Sequence, residues 1–187
     1  LTAFQEKNPL VSFTIYSGNS DNIKERIERG LLDVGLLQEP VDISKYSFVR
    51  TPCREQWGVL VREDSELASR ERVSPADLAS VPLILPEREI VQNELLNWFG
   101  PYAEGLRITA TGNLLYNLAS LARASGGSVL TLNLDCTYEG LRFIPLSPPL
   151  ESNTVLVWKK TQTFSAAAAA LIEFSEKYIS GMEQNLI

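Results

Sequence analysis

Histidine is missing from all 187 residues, and cysteine occurs only twice, at Cys53 and Cys136. Without histidine the Ser-His and Cys-His nucleophile pairs cannot be assembled, which removes the largest hydrolase classes. The two cysteines show no Cys-x-x-Cys spacing, so the usual zinc sites are excluded and no metal is expected. They read as buried or free thiols in a reducing compartment. A surplus of basic residues is lacking as well: 17 Lys and Arg stand against 23 Asp and Glu, a formal charge of −6. Such a chain is a poor partner for phosphate backbones, so it is not expected to bind nucleic acid itself. No apolar run approaches the length of a membrane span, and no basic start leads into an apolar core, so the cytoplasm is the expected location. Neither Gly-x-x-x-x-Gly-Lys-Ser/Thr nor a strand followed by Gly-x-Gly-x-x-Gly occurs, and no cofactor is expected.

What remains is a chain of 44% hydrophobic residues, enough for one large domain or two small lobes. Its organising stretch runs from Ile23 to Pro40. Ile23 and Ile27 lie four residues apart with charges between them, the stripe of an amphipathic helix, and Gly30 can take the left-handed conformation that ends it. Val34, Gly35, Leu36 and Leu37 then form a short apolar run, read as a central strand covered on both faces. Gln38, Glu39 and Pro40 leave the sheet at that strand's carboxyl end, where ligands bind in open parallel sheets.

In chain order, Leu1 to Lys7 reads as the end of a helix closed by Asn8-Pro9. Val11, Phe13 and Ile15 alternate with polar residues as a strand. Ser17-Gly18-Asn19-Ser20 joins that strand to the Ile23 helix, with Ser20 or Asn19 as its cap and its first amides open to an anion. An ordinary capped turn explains the same residues equally well. Residues 41 to 56 read as irregular, with Ser47 to Val49 as a short strand, and Gln56 to Arg62 as the next strand. Ser74-Pro75-Ala76-Asp77 has the cap, the proline and the acid of a helix start. Leu83 to Leu85 is a buried strand whose exit, Pro86-Glu87-Arg88-Glu89, leads into a helix carrying Ile90, Leu95, Trp98 and Phe99. Ile108, Ala110 and the Thr111-Gly112-Asn113 turn lead into a helix whose stripe is Leu114, Leu115, Leu118, Leu121 and Ala122. Gly126-Gly127 ends it, and Ser128 to Leu132 is the next strand, with Thr131, Leu132 and Asn133 at its exit. Leu141 to Leu146 and Thr154 to Trp158 are further strands. Ser165 caps a terminal helix buried through Leu171, Phe174 and Tyr178, and the chain frays after Ser180.

Several of these landmarks carry a resemblance. Gly-Leu-Leu-Asp-Val-Gly-Leu-Leu (30–37), the opening Leu-Thr-Ala-Phe-Gln-Glu-Lys-Asn-Pro, and the strand from Trp57 to Val61 ahead of Asp64-Ser65-Glu66-Leu67-Ala68 come first. Val-Ser-Pro-Ala-Asp-Leu-Ala (73–79) before Pro-Leu-Ile-Leu-Pro, and Ser-Leu-Ala-Arg-Ala-Ser-Gly-Gly-Ser-Val-Leu-Thr-Leu (120–132), follow in order. Together they resemble the effector-binding domain of LysR-type transcriptional regulators, a fold shared with type II periplasmic binding proteins. Where the family has Gly-x-Gly, this chain has Gly126-Gly127-Ser128. The resemblance implies a two-lobed α/β fold of mixed, mostly parallel sheets with helices on both faces. Residues 1–64 with 150–187 would form lobe I, lacking its first strand, and 65–149 lobe II. It also implies a homodimer or homotetramer and a DNA-binding helix-turn-helix ahead of Leu1.

On this reading a small polar or anionic metabolite settles between the lobes. The ligand-binding candidates are Ser17, Gly18, Asn19, Gln38 and Glu39 from one lobe, and Pro86, Glu87, Asn113, Thr131 and Leu132 from the other. No catalytic residue is named. Glu39 and Glu87 form the one carboxylate pair worth weighing for acid/base work, and Cys53 beside Arg54 the one thiolate, each less expected than a structural role. Two rivals share the fold: a transporter's solute-binding protein and an enzyme.

Overall fold

A computed structural model describes residues 1–184 and shows a mixed α/β architecture. The chain forms two compact units, Leu1–Cys53 with Asn153–Ile187 and Arg54–Ser152. It passes from one to the other twice, inside two long strands.

The first unit opens with helix α1 (Thr2–Lys7), which Asn8 closes by donating its side-chain amide to the Phe4 carbonyl. Helix α2 (Ser20–Glu28) is capped by Asn19, whose Oδ1 accepts from the amides of Asp21 and Asn22 at 3.1 and 2.9 Å. At its other end Gly30 (φ 69°) lets the amides of Gly30 and Leu31 turn back onto the carbonyls of Ile27 and Arg26, the paired bonds of a Schellman closure. Strand β1 (Gly35–Gln38) pairs antiparallel with β7 (Glu151–Lys159), Gly35 opposite Val157 and Gln38 opposite Thr154. The core of the unit is Ile27 of α2, Leu37, Val155 and Val157 from one face of that strand pair, and Tyr46.

Here the structure corrects three expectations. Leu36 is 58% exposed, so the Val34–Leu37 run is not covered on both faces; β1 ends the strand order, and only its Leu37 side meets the α2 core. The alternating residues 11–16 form no strand. Alternation decides which side chains share a face, but a strand exists only through a hydrogen-bonded ladder, and this segment has none among the described residues. Residues 46–56, read as largely irregular, belong to one strand, β2 (Tyr46–Arg62), whose first half mixes exposed and half-buried positions and so lacks an apolar run.

Helix α6 (Ala166–Gln184) closes the first unit, with Ser165 Oγ accepting from the Ala168 amide. It is buried through Ala168, Ile172 and Ile179. Leu171 and Phe174 are half-buried, and Tyr178 is exposed and stacked on Phe174, so the buried stripe is displaced from the expected one. Helix persists past Ser180; residues 185–187, the rest of the expected frayed end, lie outside the described residues.

The second unit is a sheet ordered β2, β5 (Ser128–Leu132), β3 (Pro82–Pro86), β4 (Arg107–Gly112), with β6 (Leu141–Pro145) on the other side of β2. β3 runs parallel to both β4 and β5, whereas β5 and β6 run antiparallel to β2. Because side chains alternate across a strand, the sheet builds two cores. Trp57, Val59, Val61, Leu83, Leu85 and Leu130 meet Leu78 of α3 (Pro75–Leu78) and Val91, Leu95 and Phe99 of α4 (Glu89–Phe99). Leu60, Ile84 and Val129 meet Leu118, Ala119 and Ala122 of α5 (Leu115–Ser125). Continuous burial along 83–85 and 128–131 follows from this double cover. Helix α3 starts with a capping box: Ser74 accepts from the Asp77 amide, and Asp77 accepts from the Ser74 amide and hydroxyl. Ile90, Leu114 and Leu121, expected on buried stripes, are exposed, each set by the single face its helix turns to the sheet. Cys53 and Cys136 are free and exposed, which settles the alternative of burial.

Candidate functional site

In the first unit the turn before α2 meets the carboxyl end of β1. Ser20, buried next to the cap, donates its hydroxyl to the Gln38 carbonyl at 3.3 Å. The Gln38 side-chain oxygen accepts from Thr154 Oγ1 at 3.1 Å, and the Thr154 carbonyl accepts from Thr51 Oγ1 at 3.2 Å. Glu39 follows with its amide on the Asn153 carbonyl and its carboxylate on the Arg50 guanidinium at 3.0 Å; that guanidinium also lies over the Phe48 ring. Gly18 permits the tight turn, since a Cβ there would stand 3.1 Å from the Tyr16 ring and 3.3 Å from Asn22 Cβ. The Gly18–Asn19 turn and the Gln38–Glu39 exit are thus joined through Ser20, and Ser17 precedes that turn as an exposed residue. Sequence reasoning missed Ser20 as the link, along with Arg50, Thr51 and Thr154. The last of these stands opposite Gln38 only through the antiparallel register, which no local pattern announces.

The second unit gathers three strand exits at one end of its sheet, because β3, β4 and β5 are mutually parallel. Pro86 is opposite Gly112, and the Glu87 amide extends the ladder to the Gly112 carbonyl at 2.9 Å. Gln92 Nε2 reaches back to the Pro86 carbonyl at 2.7 Å, fixing the first turn of α4 to the strand it follows. Asn113 is exposed and sits one residue before the cap position of α5, which Leu114 occupies without a side-chain bond. Leu132 is opposite Trp57, and the Asn133 amide bonds the Gln56 carbonyl at 2.8 Å. Thr131 is buried, and its hydroxyl bonds backbone at Leu132, so it supports the strand end from beneath.

Missed by sequence reasoning is Trp57, 3% exposed, whose indole N–H has no hydrogen-bond partner among the described residues. A buried donor left unmet is costly, and the position beside the β5 exit makes it a further candidate contact. No group of three or more His, Cys, Asp or Glu side chains among the described residues is placed to hold a metal ion. No described helix is long and apolar enough to cross a membrane.

A family model described as LysR substrate binding domain matches residues 1–179. The chain belongs to that family. The LysR-type domain is 26% identical over 85 residues to the uncharacterised HTH-type transcriptional regulator YvbU of Bacillus subtilis (strain 168). That match takes in 46% of this chain and 28% of YvbU. Among solved structures, the C-terminal domain of a probable LysR family regulator from Rhodococcus sp. RHA1 superposes with a TM-score of 0.74 at 22% identity, covering 92% of this chain and 88% of that one. The effector binding domain of QuiR in complex with shikimate reaches a TM-score of 0.80 at 15% identity, over 96% and 88% of the two chains. At such identities these two likenesses establish the fold, and the family match establishes a LysR-type effector-binding domain.

Proposed function

We propose that this LysR-type domain senses a small polar or anionic metabolite held between its two lobes, and passes the change to a helix-turn-helix ahead of Leu1. The lobes are taken as residues 1–64 with 150–187 and 65–149. Binding shifts the domain toward whichever arrangement the metabolite contacts better, and only by that difference in affinity. The observation that carries this reading is the family match over residues 1–179. Support comes from each unit separately presenting a strand exit beside a helix start, Gln38 with α2 and Pro86–Glu87 and Asn113 with α4 and α5. The shikimate complex of QuiR supports a ligand of this size. No catalytic step is assigned, and the proposed setting is the cytoplasm, as a homodimer or homotetramer that reaches DNA only through the upstream domain.

The proposal extends to the first strand. A groove of about 740 Å³ in the first unit is walled by Leu1, Phe13, Ile15, Gly35, Leu36 and Phe174 among others. One more strand there would ladder with residues 11–16 and the outer edge of β1, covering Ile15 and Leu36. A version extended upstream by one strand should melt higher than the 187-residue chain.

The site is tested by thermal-shift screening of metabolites against the wild type and the Gln38→Ala, Asn113→Ala double variant. A metabolite that stabilises the wild type should lose most of that effect in the variant. An unchanged response removes both residues from the pocket.

A further inference from the structure

The second unit has a cavity that the reading above does not use. It lies between α5 and the 137–141 loop, has a volume of about 180 Å³, and is walled by Tyr116, Ser120, Arg123, Thr137, Tyr138 and Glu139 with Ala119 and Leu141 beneath. That is room for about six water molecules, taking ~30 Å³ for each. Its walls are fixed to the fold. The Leu141 amide bonds the Tyr138 carbonyl at 3.0 Å, the Glu63 amide bonds the Gly140 carbonyl at 3.1 Å, and Gly140 turns the loop with φ 73°. On the helix side, Ala119 and Ala122 pack into the core that also receives Tyr138 and Leu141.

The polar inventory of this cavity is one-sided. Tyr116, Thr137 and Tyr138 contribute hydroxyls that make no hydrogen bond among the described residues, and Arg123 contributes a guanidinium. Ser120 Oγ already donates to the Tyr116 carbonyl. Burial, then the nearby Cys136, raises the Tyr138 phenol above its ordinary value. The only carboxylate on the wall, Glu139, is 96% exposed and stands 3.9 Å from Arg123, at the limit of an ion pair. Such a pair is weak and readily exchanged. Each hydroxyl can donate as well as accept and the guanidinium only donates, so the wall can turn four donor groups toward an anion against a single carboxylate.

We propose that this cavity is a binding site for a small oxyanion, a carboxylate or phosphate group held by Arg123 and the hydroxyls of Tyr116, Thr137 and Tyr138. The guanidinium gives the bidentate geometry that suits either group, and the ligand displaces Glu139 rather than sharing Arg123 with it. The site does not depend on the metabolite reading, since none of its walls is among the strand-exit residues.

The test is calorimetric titration of this chain with inorganic phosphate and, separately, with acetate at constant ionic strength. One saturable site is expected with at least one of the two anions, and which one binds tells the phosphate from the carboxylate. Arg123→Gln should weaken binding at least tenfold, and Tyr116→Phe combined with Thr137→Val several-fold. Glu139→Gln should tighten it several-fold, because a competing carboxylate is gone. Arg54→Gln, which removes an exposed guanidinium elsewhere in the same unit, should change nothing. Melting temperatures equal to the wild type show that each variant is folded. Absence of saturable heat with both anions, equal weakening by Arg54→Gln, or no gain from Glu139→Gln overturns the proposal.

Discussion

At Gly35 the helix that carries the cap of the candidate site packs directly on the strand that carries Gln38. A Cβ at this position would lie 2.7 Å from Ile23 Cγ2 and 2.8 Å from Ile27 Cδ1. Carbon atoms pack at about 3.5–4.0 Å, so Gly35→Ala has to open this contact by roughly 0.7–1.3 Å. Ile27 is fully buried and has little room to rotate aside. Overpacking of this kind costs about 1–3 kcal/mol. The helix carries Ser20 with it, and the 3.3 Å bond from Ser20 to the Gln38 carbonyl is already long. Its loss adds about 1 kcal/mol. Alanine recovers about 0.5–1 kcal/mol over glycine in a strand. The net is a loss of about 1–3.5 kcal/mol, a fall in Tm of about 2–14 °C for a chain of this size.

Scanning calorimetry measures it, with Gly105→Ala as the control, since nothing lies within 4 Å of a Cβ there. The control should stay within about 0.5 kcal/mol of the wild type. Ile27→Val removes the clashing Cδ1, so the double variant should be more stable than the sum of the two single losses. Equal melting of Gly35→Ala and Gly105→Ala, or strict additivity with Ile27→Val, refutes the account of α2 held at contact distance by a missing side chain.

Gly58→Ala should be worse than Gly35→Ala, about 3 kcal/mol or insolubility on expression, because the added Cβ overlaps the Phe143 ring and lies 2.6 Å from the Ile144 carbonyl, backbone that cannot swing aside. Asp77 is held below its ordinary 3.8 by the bonds from Ser74 and by Arg70, so its stabilisation is complete above about pH 5 and is lost as pH falls through the unfolded and then the folded value. Asp77→Asn should cost about 1–2 kcal/mol at neutral pH and flatten acid unfolding in urea titrations. Burial, then the Glu28 hydrogen bond, pushes the Tyr46 phenol up to about 12, so the folded state holds that proton more tightly and stability declines as pH rises from 10 toward 12. Tyr46→Phe should remove this alkaline decline, about 2–3 kcal/mol at its full extent, as read by denaturant unfolding across that range.

Half of the candidate site was legible because it depends on local order. Pro86, Glu87 and Asn113 end or follow short strands that lead directly into helices, the first buried and the second largely exposed, and parallel strands with such crossovers must end on the same side. The Leu83–Leu85 run, the Ser74 box and the Gly126 stop each specify their element within a few residues. The first unit differs. Its ladder joins residues more than a hundred positions apart, so Thr154 stands beside Gln38 for a reason that neither neighbourhood contains. The same long-range pairing decides that β1 ends the strand order and leaves Leu36 outside, although Leu36 and Leu37 are the same residue type in one apolar run.

That asymmetry bears on which variants report on ligand sensing. The Gln38 side-chain oxygen accepts from Thr154 on β7, so truncating it costs that strand a hydrogen bond whether or not a metabolite is bound, while its backbone carbonyl keeps the bond from Ser20. Asn113 precedes a cap position and is exposed, so truncating it leaves the strand and helix ends intact. Asn113→Ala alone should therefore keep the wild-type Tm and lose ligand response, whereas Gln38→Ala should lower both. A lowered Tm for Asn113→Ala would mean that its side chain supports the fold rather than the ligand.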